Sequence, residues 1–516
     1  MVGSFEGTVD FDPGPGTTNK TAATSRDIFI AKYSPAGGLI WVDQVGGTGD
    51  DDGFGISLDG TGNVWVTGSF IGTVDFDPGP GTANLNSGAG FAPFVLRLNN
   101  NGGFSGVVGS TTPNFGRNQA LAIANDNQGN AYITGEIGAN GVFGGTTLTP
   151  TGNTDVFVAK VTPTGSNLAF TWTKSFPSAG GAPISQGNSI ATDTQGNVYV
   201  SGMFAGTVNF PTPLTSAGNQ DIFVAKLSQA TGTTVTAQRF GGAQYDVGDS
   251  IVVDASQNSY LSGHYEGTVA FGGATAPLTS PAGGGIFVLK LNSSLQPLSA
   301  TDLRASSQLV GFIGGSALAV DPVGTGVLVA GNFTGTAQPG GISLTSAGDT
   351  DVLIAQISSS GVVTGAQRGG GVGSDLVGGI AANPSGAIAL VGQYSGTATF
   401  GASTLPNLGT QNMFVAQLSA TPNPVAPHSV DGDFDGDGKT DYSVYEPKSG
   451  KLYIKPSNGS NPYFLQFGPT NNVPVPGDYD GDGKADYGVY EPSSGKLYIK
   501  PSNGSNPYFL QFGPTN

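Results

Sequence analysis

The chain has 516 residues, with 19 Lys and Arg against 36 Asp and Glu, a formal charge of −17, no cysteine and 86 glycines. A surface that binds nucleic acid needs clustered Lys and Arg to displace counterions, so this balance argues against such a partner, and the lack of cysteine excludes disulfides and thiolate metal sites. No apolar run approaches the ~18 residues of a membrane span, and glycine far above the usual ~7% without a collagen triplet reads as many turns between short strands.

In chain order, a unit of four strand signals, A to D, keeps returning. The chain opens on a B strand near residue 2, and B recurs near 63, 130, 197, 258, 326 and 386, as in Asn63 to Gly68 and Asn197 to Gly202. A Gly-Thr-Val-x-Phe segment and a Gly/Pro/Ser loop lead to strand C. Strand C reads Asp27 to Tyr33 (DIFIAKY) first and returns at Phe94 to Leu98, Asp155 to Val161, Asp221 to Leu227, Ile286 to Leu291, Asp351 to Ile357 and Met413 to Leu418. Its Lys/Arg/Gln position falls at 32, 97, 160, 226, 290, 356 and 417, in steps of 65, 63, 66, 64, 66 and 61. Strand D follows, as in Leu39 to Val45 and Thr234 to Phe240, then a Gly-Gly turn with a lone Asp. Strand A ends in Asp, as in Gly55 to Asp59, Ser189 to Asp193, Ser250 to Asp254 and Ala317 to Asp321. Val, Ile, Phe and Thr dominate and no helix period competes.

Four short antiparallel strands repeated at a fixed period describe the blades of a β-propeller. The expected fold is all-β: a seven-bladed propeller of four-stranded antiparallel blades over residues 1–420. B and C occur seven times but A and D six, so one D–A pair is missing between Met413 to Leu418 and Val2 to Phe5. A propeller closes its ring to remove exposed edges, so the vacancy predicts an upstream segment or a strand from another copy. Met1 to Phe11 matches the mid-repeat stretch Val66 to Phe76, so residue 1 is expected not to begin the natural protein.

A Pro-rich linker spans residues 421–429 and is semi-rigid. Beyond it, residues 430–516 hold a different repeat. Asp433 to Asp441 reads DFDGDGKTD and Asp478 to Asp486 reads DYDGDGKAD, while Ser449 to Asn471 is identical to Ser494 to Asn516. Two 45-residue units result, with more expected to follow in a longer array. In each loop carboxylates at positions 1, 3 and 5 point inward when the loop coils, Gly permits the turn, position 7 offers a carbonyl and Asp at 9 completes an oxygen shell. Hard oxygen ligands select Ca²⁺. The first site is expected to use Asp433, Asp435, Asp437, the Lys439 carbonyl and Asp441. The second is expected to use Asp478, Asp480, Asp482, the Lys484 carbonyl and Asp486. An EF-hand would need Glu at position 12, where Val444 and Val489 stand.

On the motifs D-[IV]-F-[VI]-A-K-[LYV], G-N-V-[YW]-V-[TS]-G-x-F and G-T-V-x-F-x-P, residues 1–418 resemble the SBBP-type β-propeller repeats of bacterial secreted proteins. The Asp loops after the linker resemble the FG-GAP/VCBS-type calcium blades of integrin-like propellers. The first resemblance implies a propeller; the second implies that Ca²⁺ ties each loop to its blade.

Other polar groups read as structural. The Asp10 to Gly16 loop, repeated at Asp75 to Gly81, is stiffened by proline. Asp51, Asp246 and Asp375 read as caps of turn backbone N–H groups. His264 reads as a loop-facing substitution, the Lys/Arg of strand C as a solvent-exposed alternate position, and Trp41, Trp65 and Trp172 as core packing. With His264 and His428 the only histidines and no Ser-His-Asp grouping in view, no enzyme is expected. The B–C and D–A connections emerge at one end of each blade and form the candidate binding face. The chain reads as a calcium-stabilised, secreted or cell-surface bacterial repeat protein for adhesion or extracellular assembly. Its expected partners are extracellular protein or glycan, or other copies of itself joined by strand exchange into a filament or surface layer. The alternative is a carbohydrate-binding ancillary region of a larger secreted enzyme.

Overall fold

The computed structural model describes residues 1–273, 275–280, 284–303, 315–321, 326–383, 387–401, 403–418, 434, 441–446, 451–466, 473–477, 479, 485–491, 494, 496–502 and 505–511. The linker expected at 421–429 lies outside the described residues. The chain divides into two compact units, Met1–Pro422 and Asn423–Asn516. Both are all-β; among the described residues the one helical element is a 3-10 turn at Pro339–Gly341. No described helix is long and apolar enough to cross a membrane.

In the first unit, seven antiparallel sheets of three or more strands follow one another among the described residues, with five two-stranded ribbons beside them. The first sheet holds Val2–Phe5, Asp27–Tyr33 and Leu39–Val45, the B, C and D strands. The second sheet is complete: Asp52–Leu58, Val64–Phe70, Ala92–Leu98 and Phe104–Gly109 pair in chain order as A to D. The next four sheets repeat that order, and the seventh holds Leu376–Ala382, Ile388–Tyr394 and Asn412–Leu418, the A, B and C strands. The A strands of successive sheets run beside one another, which makes A the inner strand. The outer D strands expose Ile40, Val235 and Leu298.

Burial follows from position in the sheet. Strand Val64–Phe70 is buried along its whole length, because both of its faces are covered. Each sheet packs its apolar face on the next. Ile28, Ile30 and Val45 of the first sheet join Val66, Phe70 and Phe94 of the second, and Trp65 and Val95 of the second join Ile133 and Phe157 of the third. Each such aromatic removes enough apolar surface to stabilise by about 1.5–3 kcal/mol. Met413 of the seventh sheet packs against the cluster that holds Phe5, Phe29 and Val42 of the first, so the two ends of the series meet.

The glycine inside the B-strand motif has a steric cause. A Cβ on Gly68, Gly135, Gly202, Gly263 or Gly392 would stand 1.8–2.1 Å from an A-strand carbonyl oxygen. Opposite each of them the A strand slips register by one residue, as between Gly53 and Gly55 or Gly187 and Ser189. The bulge pushes the A-strand backbone onto the B strand, where only hydrogen fits. Gly202→Ala is therefore expected to destabilise by about 1–3 kcal/mol or more. Its added methyl would also meet Phe223 Cε1 at 2.9 Å. A denaturant midpoint equal to the unsubstituted protein's would contradict this packing.

Candidate functional site

At one end of the second to fifth sheets the A–B turn is organised by the aspartate that follows strand A. Asp126 Oδ1 accepts the Gln128 and Asn130 backbone N–H groups at 2.9 Å each, and Oδ2 accepts Asn130 Nδ2 at 2.8 Å and the Tyr132 hydroxyl at 2.9 Å. Asp193 repeats this set with Gln195, Asn197 and Tyr199. Asp59 takes the Trp65 indole N–H at 3.0 Å in place of a tyrosine hydroxyl. Burial alone would raise these carboxyls, but the donors outweigh it: Asn63, Thr61 and Trp65 hold Asp59 below its ordinary range, and Asn130 and Tyr132 hold Asp126 below its own.

The strand-C cation completes the arrangement, and here the sequence expectation needs correcting. These side chains do not stand free in solvent. Lys160, Lys226 and Lys290 lie 5.2–5.3 Å from the ring centres of Tyr132, Tyr199 and Tyr260, and Arg97 lies over Trp65. Lys160, Lys226 and Lys290 then donate to the carbonyls of Gln229, Ser293 and Ser359, in the C–D turn of the following sheet, and Lys32 donates likewise to Asn100. Trp41 and Trp172 donate to the same carbonyls as Lys32 and Lys160, while Trp65 is fully buried. Lys226→Met is expected to lower stability by about 1.5–3 kcal/mol, the usual worth of a hydrogen bond from a charged donor. An unshifted denaturation midpoint would show the contact to be idle.

At the opposite end the Asp10 and Asp75 loops are built alike. Asp10 Oδ1 accepts the Asp12 and Thr18 N–H groups, and Asp75 Oδ1 those of Asp77 and Ala83. Phe11 and Phe76 anchor the loops on Phe29 and Phe94. Asp51, Asp246 and Asp375 do cap turns: each Oδ2 accepts the N–H of Gly47, Gly242 or Gly371 at 2.6–2.7 Å. They are not lone, however. Asp27, Asp221 and Asp351, at the start of strand C, are buried beside them. Burial pushes Asp51 up to about 7 and Asp246 and Asp375 up to about 6, with the neighbouring strand-C aspartate adding to the rise.

Nearer the inner strands, Ser4 donates to Asp52 at 2.7 Å and Gln119 to Ser69 at 3.2 Å. Glu136 is raised by burial, against the pull of Arg117 and Gln186. His264 is not loop-facing: it is mostly buried, with Nδ1 3.1 Å from Asp249 Oδ2, and Ser316 Oγ donates to the same oxygen at 3.1 Å. Burial disfavours the imidazolium, but Asp249 outweighs it and raises the imidazole. The carboxylate stands between hydroxyl and imidazole, the reverse of the order that activates a serine.

In the second unit the described strands form two sheets: Tyr442–Glu446, Lys451–Lys455 and Tyr463–Gln466, then Val473–Pro474, Tyr487–Glu491, Lys496–Lys500 and Tyr508–Gln511. Asp433, Asp435, Asp437, Lys439, Asp478, Asp480, Asp482 and Lys484 lie outside the described residues. Asp441 and Asp486 are described, buried and placed alike. Asp441 Oδ2 accepts the Phe434 N–H at 2.8 Å and Oδ1 the Ser457 N–H at 2.6 Å. Asp486 accepts those of Tyr479 and Ser502 at the same distances. Phe434 and Tyr479 each sit between the first two aspartates of their loop, so the ninth-position aspartate clamps the loop to its sheet. Each carboxylate oxygen keeps a second lone pair.

Comparison with solved structures finds distant likeness. The β-propeller domain of Myceliophteria thermophila Cps50 (Swd1) is 9% identical, with a TM-score of 0.38, over 77% of this chain and 93% of that one. BamB from Moraxella catarrhalis is 12% identical, with a TM-score of 0.34, over 70% and 87%. An apocarotenoid oxygenase mutant from Synechocystis is 11% identical, with a TM-score of 0.27, over 74% and 92%. At this distance nothing those proteins do carries over. Curated protein sequences give no match. Repeat families do match: the chain carries an SBBP beta-propeller repeat at residues 179–203 and, after it, an FG-GAP-like repeat at residues 433–489.

Proposed function

We propose that the protein is a non-enzymatic, calcium-stabilised repeat protein of the bacterial cell surface or exterior, in which a seven-bladed propeller presents a binding face for adhesion or extracellular assembly. The observation that carries this reading is the use made of the polar side chains. Asp59, Asp126, Asp193, Lys160, Lys226 and Lys290 fasten turns and neighbouring sheets. Asp441 and Asp486 fasten the loops that would hold Ca²⁺ with Asp433, Asp435, Asp437, Lys439 and with Asp478, Asp480, Asp482, Lys484. A rigid scaffold with its polar groups spent on fastening suits presentation of loops. The edge of Asn412–Leu418 fits self-assembly by strand addition: Val415 is 42% exposed, whereas its counterparts Ile30, Val95, Val158, Val224, Val288 and Ile354 are at most 2% exposed.

The test presents the full-length protein, with and without calcium, to immobilised copies of itself, to extracellular proteins and to a glycan panel. Retention on protein or on itself supports the reading. Retention on glycans alone would replace it with the ancillary carbohydrate-binding reading. Turnover of any substrate in a hydrolase panel, abolished by an Asp-to-Asn change, would overturn it.

A further inference from the structure

The three aspartate pairs of the first unit are built alike, and each has at least one unsatisfied atom: Oδ1 of Asp246 and of Asp375 is buried and accepts no hydrogen bond, whereas Asp51 Oδ1 accepts the Ile71 N–H at 3.3 Å. Oδ1 of Asp27, of Asp221 and of Asp351 is buried and accepts no hydrogen bond. Asp27 is 2% exposed, and Asp221, Asp351, Asp51, Asp246 and Asp375 are 0% exposed. In each pair the carboxylates converge on a Gly-Gly turn. The second glycine's N–H binds the later aspartate, and the first glycine leaves room for the earlier one. A Cβ on Gly46 would stand 2.3 Å from Asp27 Oδ1, and one on Gly241 2.5 Å from Asp221 Oδ1. At the third pair a single point, the Cβ position of Gly370, lies 2.7 Å from Asp375 Oδ2 and 2.9 Å from Asp351 Oδ1.

A fourth junction serves as a control. Asp155 begins strand C in the third sheet, but Phe176, Pro177 and Ser178 follow where the other junctions have Gly-Gly. There Ser178 supplies its backbone N–H at 2.9 Å and its hydroxyl to Asp155 Oδ1, so that oxygen is satisfied. The oxygen is bare where a second carboxylate faces it.

Charge separates the three pairs. Arg239 pairs with Asp221 Oδ2, and Arg368 with Asp351 Oδ2 at 2.8 Å. Gln44 occupies the matching register place opposite Phe29, as Arg239 does opposite Phe223 and Arg368 opposite Leu353. Its neutral amide donates to Asp27 Oδ2 at 2.6 Å. Arg26, the nearby cation, is shared between Asp50 and Asp52 at 3.3 Å each. The Asp27–Asp51 pair is thus the one of the three without its own guanidinium. Uncompensated buried charge is costly enough that proteins pair it or bind a metal.

We propose that Asp27 and Asp51 bind a hard divalent cation of the Ca²⁺ class at the junction of the first and second sheets. The two carboxylates supply hard oxygen ligands, the kind such an ion takes at ~2.3–2.6 Å. The cation takes the electrostatic place that Arg239 and Arg368 hold at the other two junctions. This site is independent of the loops at 433–441 and 478–486.

Equilibrium dialysis of the full-length protein against radioactive calcium counts the ions bound. The variants are Asp51→Asn, Gln44→Arg and the double change Asp435→Asn with Asp480→Asn. Gln44→Arg installs the side chain that the fold already accepts at two homologous places, so folding is preserved. Loss of one bound ion in both Asp51→Asn and Gln44→Arg, retained in the double variant, is the expected result. Equal counts in the unsubstituted protein and Gln44→Arg would overturn the site. So would a single proton shared by the pair, seen as calcium-independent uptake of one proton near neutral pH that Gln44→Arg abolishes. Loss of ions only in the double variant would likewise overturn it, while upholding the calcium loops of the second unit.

Discussion

Chelating calcium is expected to expose residues 430–516 to protease while the first unit stays folded. The two Asp-x-Asp-x-Asp-Gly loops place three carboxylates at alternating positions within five residues, Asp433 to Asp437 and Asp478 to Asp482. Without an ion those charges repel one another. Among the described residues the core cluster of the second unit is small: Phe434, Leu452, Ile454, Ala485, Tyr487 and Val489, with Leu465 and Tyr498 beside it. An ion at 100 times its dissociation constant adds about 2.7 kcal/mol to the folded state, a large part of the margin for so small a core. The first unit keeps one inter-sheet core after another without metal, so removing an ion at one junction should lower its melting temperature without opening it. Limited proteolysis with and without chelator reads the order of cleavage. Equal cutting of 430–516 in both conditions, or earlier loss of the first unit, would contradict the expectation.

Asp126→Ala is expected to cost about 3 kcal/mol or more in the first unit. Four donors converge on this carboxylate, and each buried donor left unsatisfied costs about 1–3 kcal/mol, though not additively. The same residue gives a pH signature. Its folded carboxyl is held below the ordinary range, as is that of Asp59. The stabilisation is therefore fully present above the unfolded carboxylate value near 3.8 and is lost as the pH falls through the lower folded value. Denaturant midpoints measured across that acid window should fall for the unsubstituted protein and less steeply for Asp126→Ala. Parallel slopes would remove Asp126 from the explanation.

The sheets were legible in sequence because their cause is local. Valine and isoleucine alternation, Gly-Asn turns and a near-constant step fix A to D without knowledge of neighbours. The side-chain partners were not legible, because the fold alone brings them together. Asp51 reads as a lone turn residue because Asp27 lies one strand and one hairpin upstream. Lys226 reads as an exposed alternate position because its acceptor, Ser293, belongs to the next sheet. His264 was misplaced for a related reason: its aligned neighbours are Ser69 and Met203, and nothing in them announces Asp249 on the adjacent strand. The Gly-Gly-x-x-x-Asp spacing at Gly46, Gly241 and Gly370 was the available signal for the paired carboxylates. It needed only the observation that strand C begins with aspartate in those same three repeats.

The lysine contacts between sheets all point the same way along the chain. Lys32, Lys160, Lys226 and Lys290 each reach forward, to acceptors 67 to 69 residues later. A nascent chain leaving the ribosome can pair the strands of one sheet at once, yet that sheet cannot close its clasp until most of the next has emerged. Each sheet therefore waits, half-fastened, on its successor, and a pause in translation leaves the newest lysine without its acceptor. Synthesis from the N-terminus thus sets a direction of closure that refolding of the finished chain from denaturant need not follow.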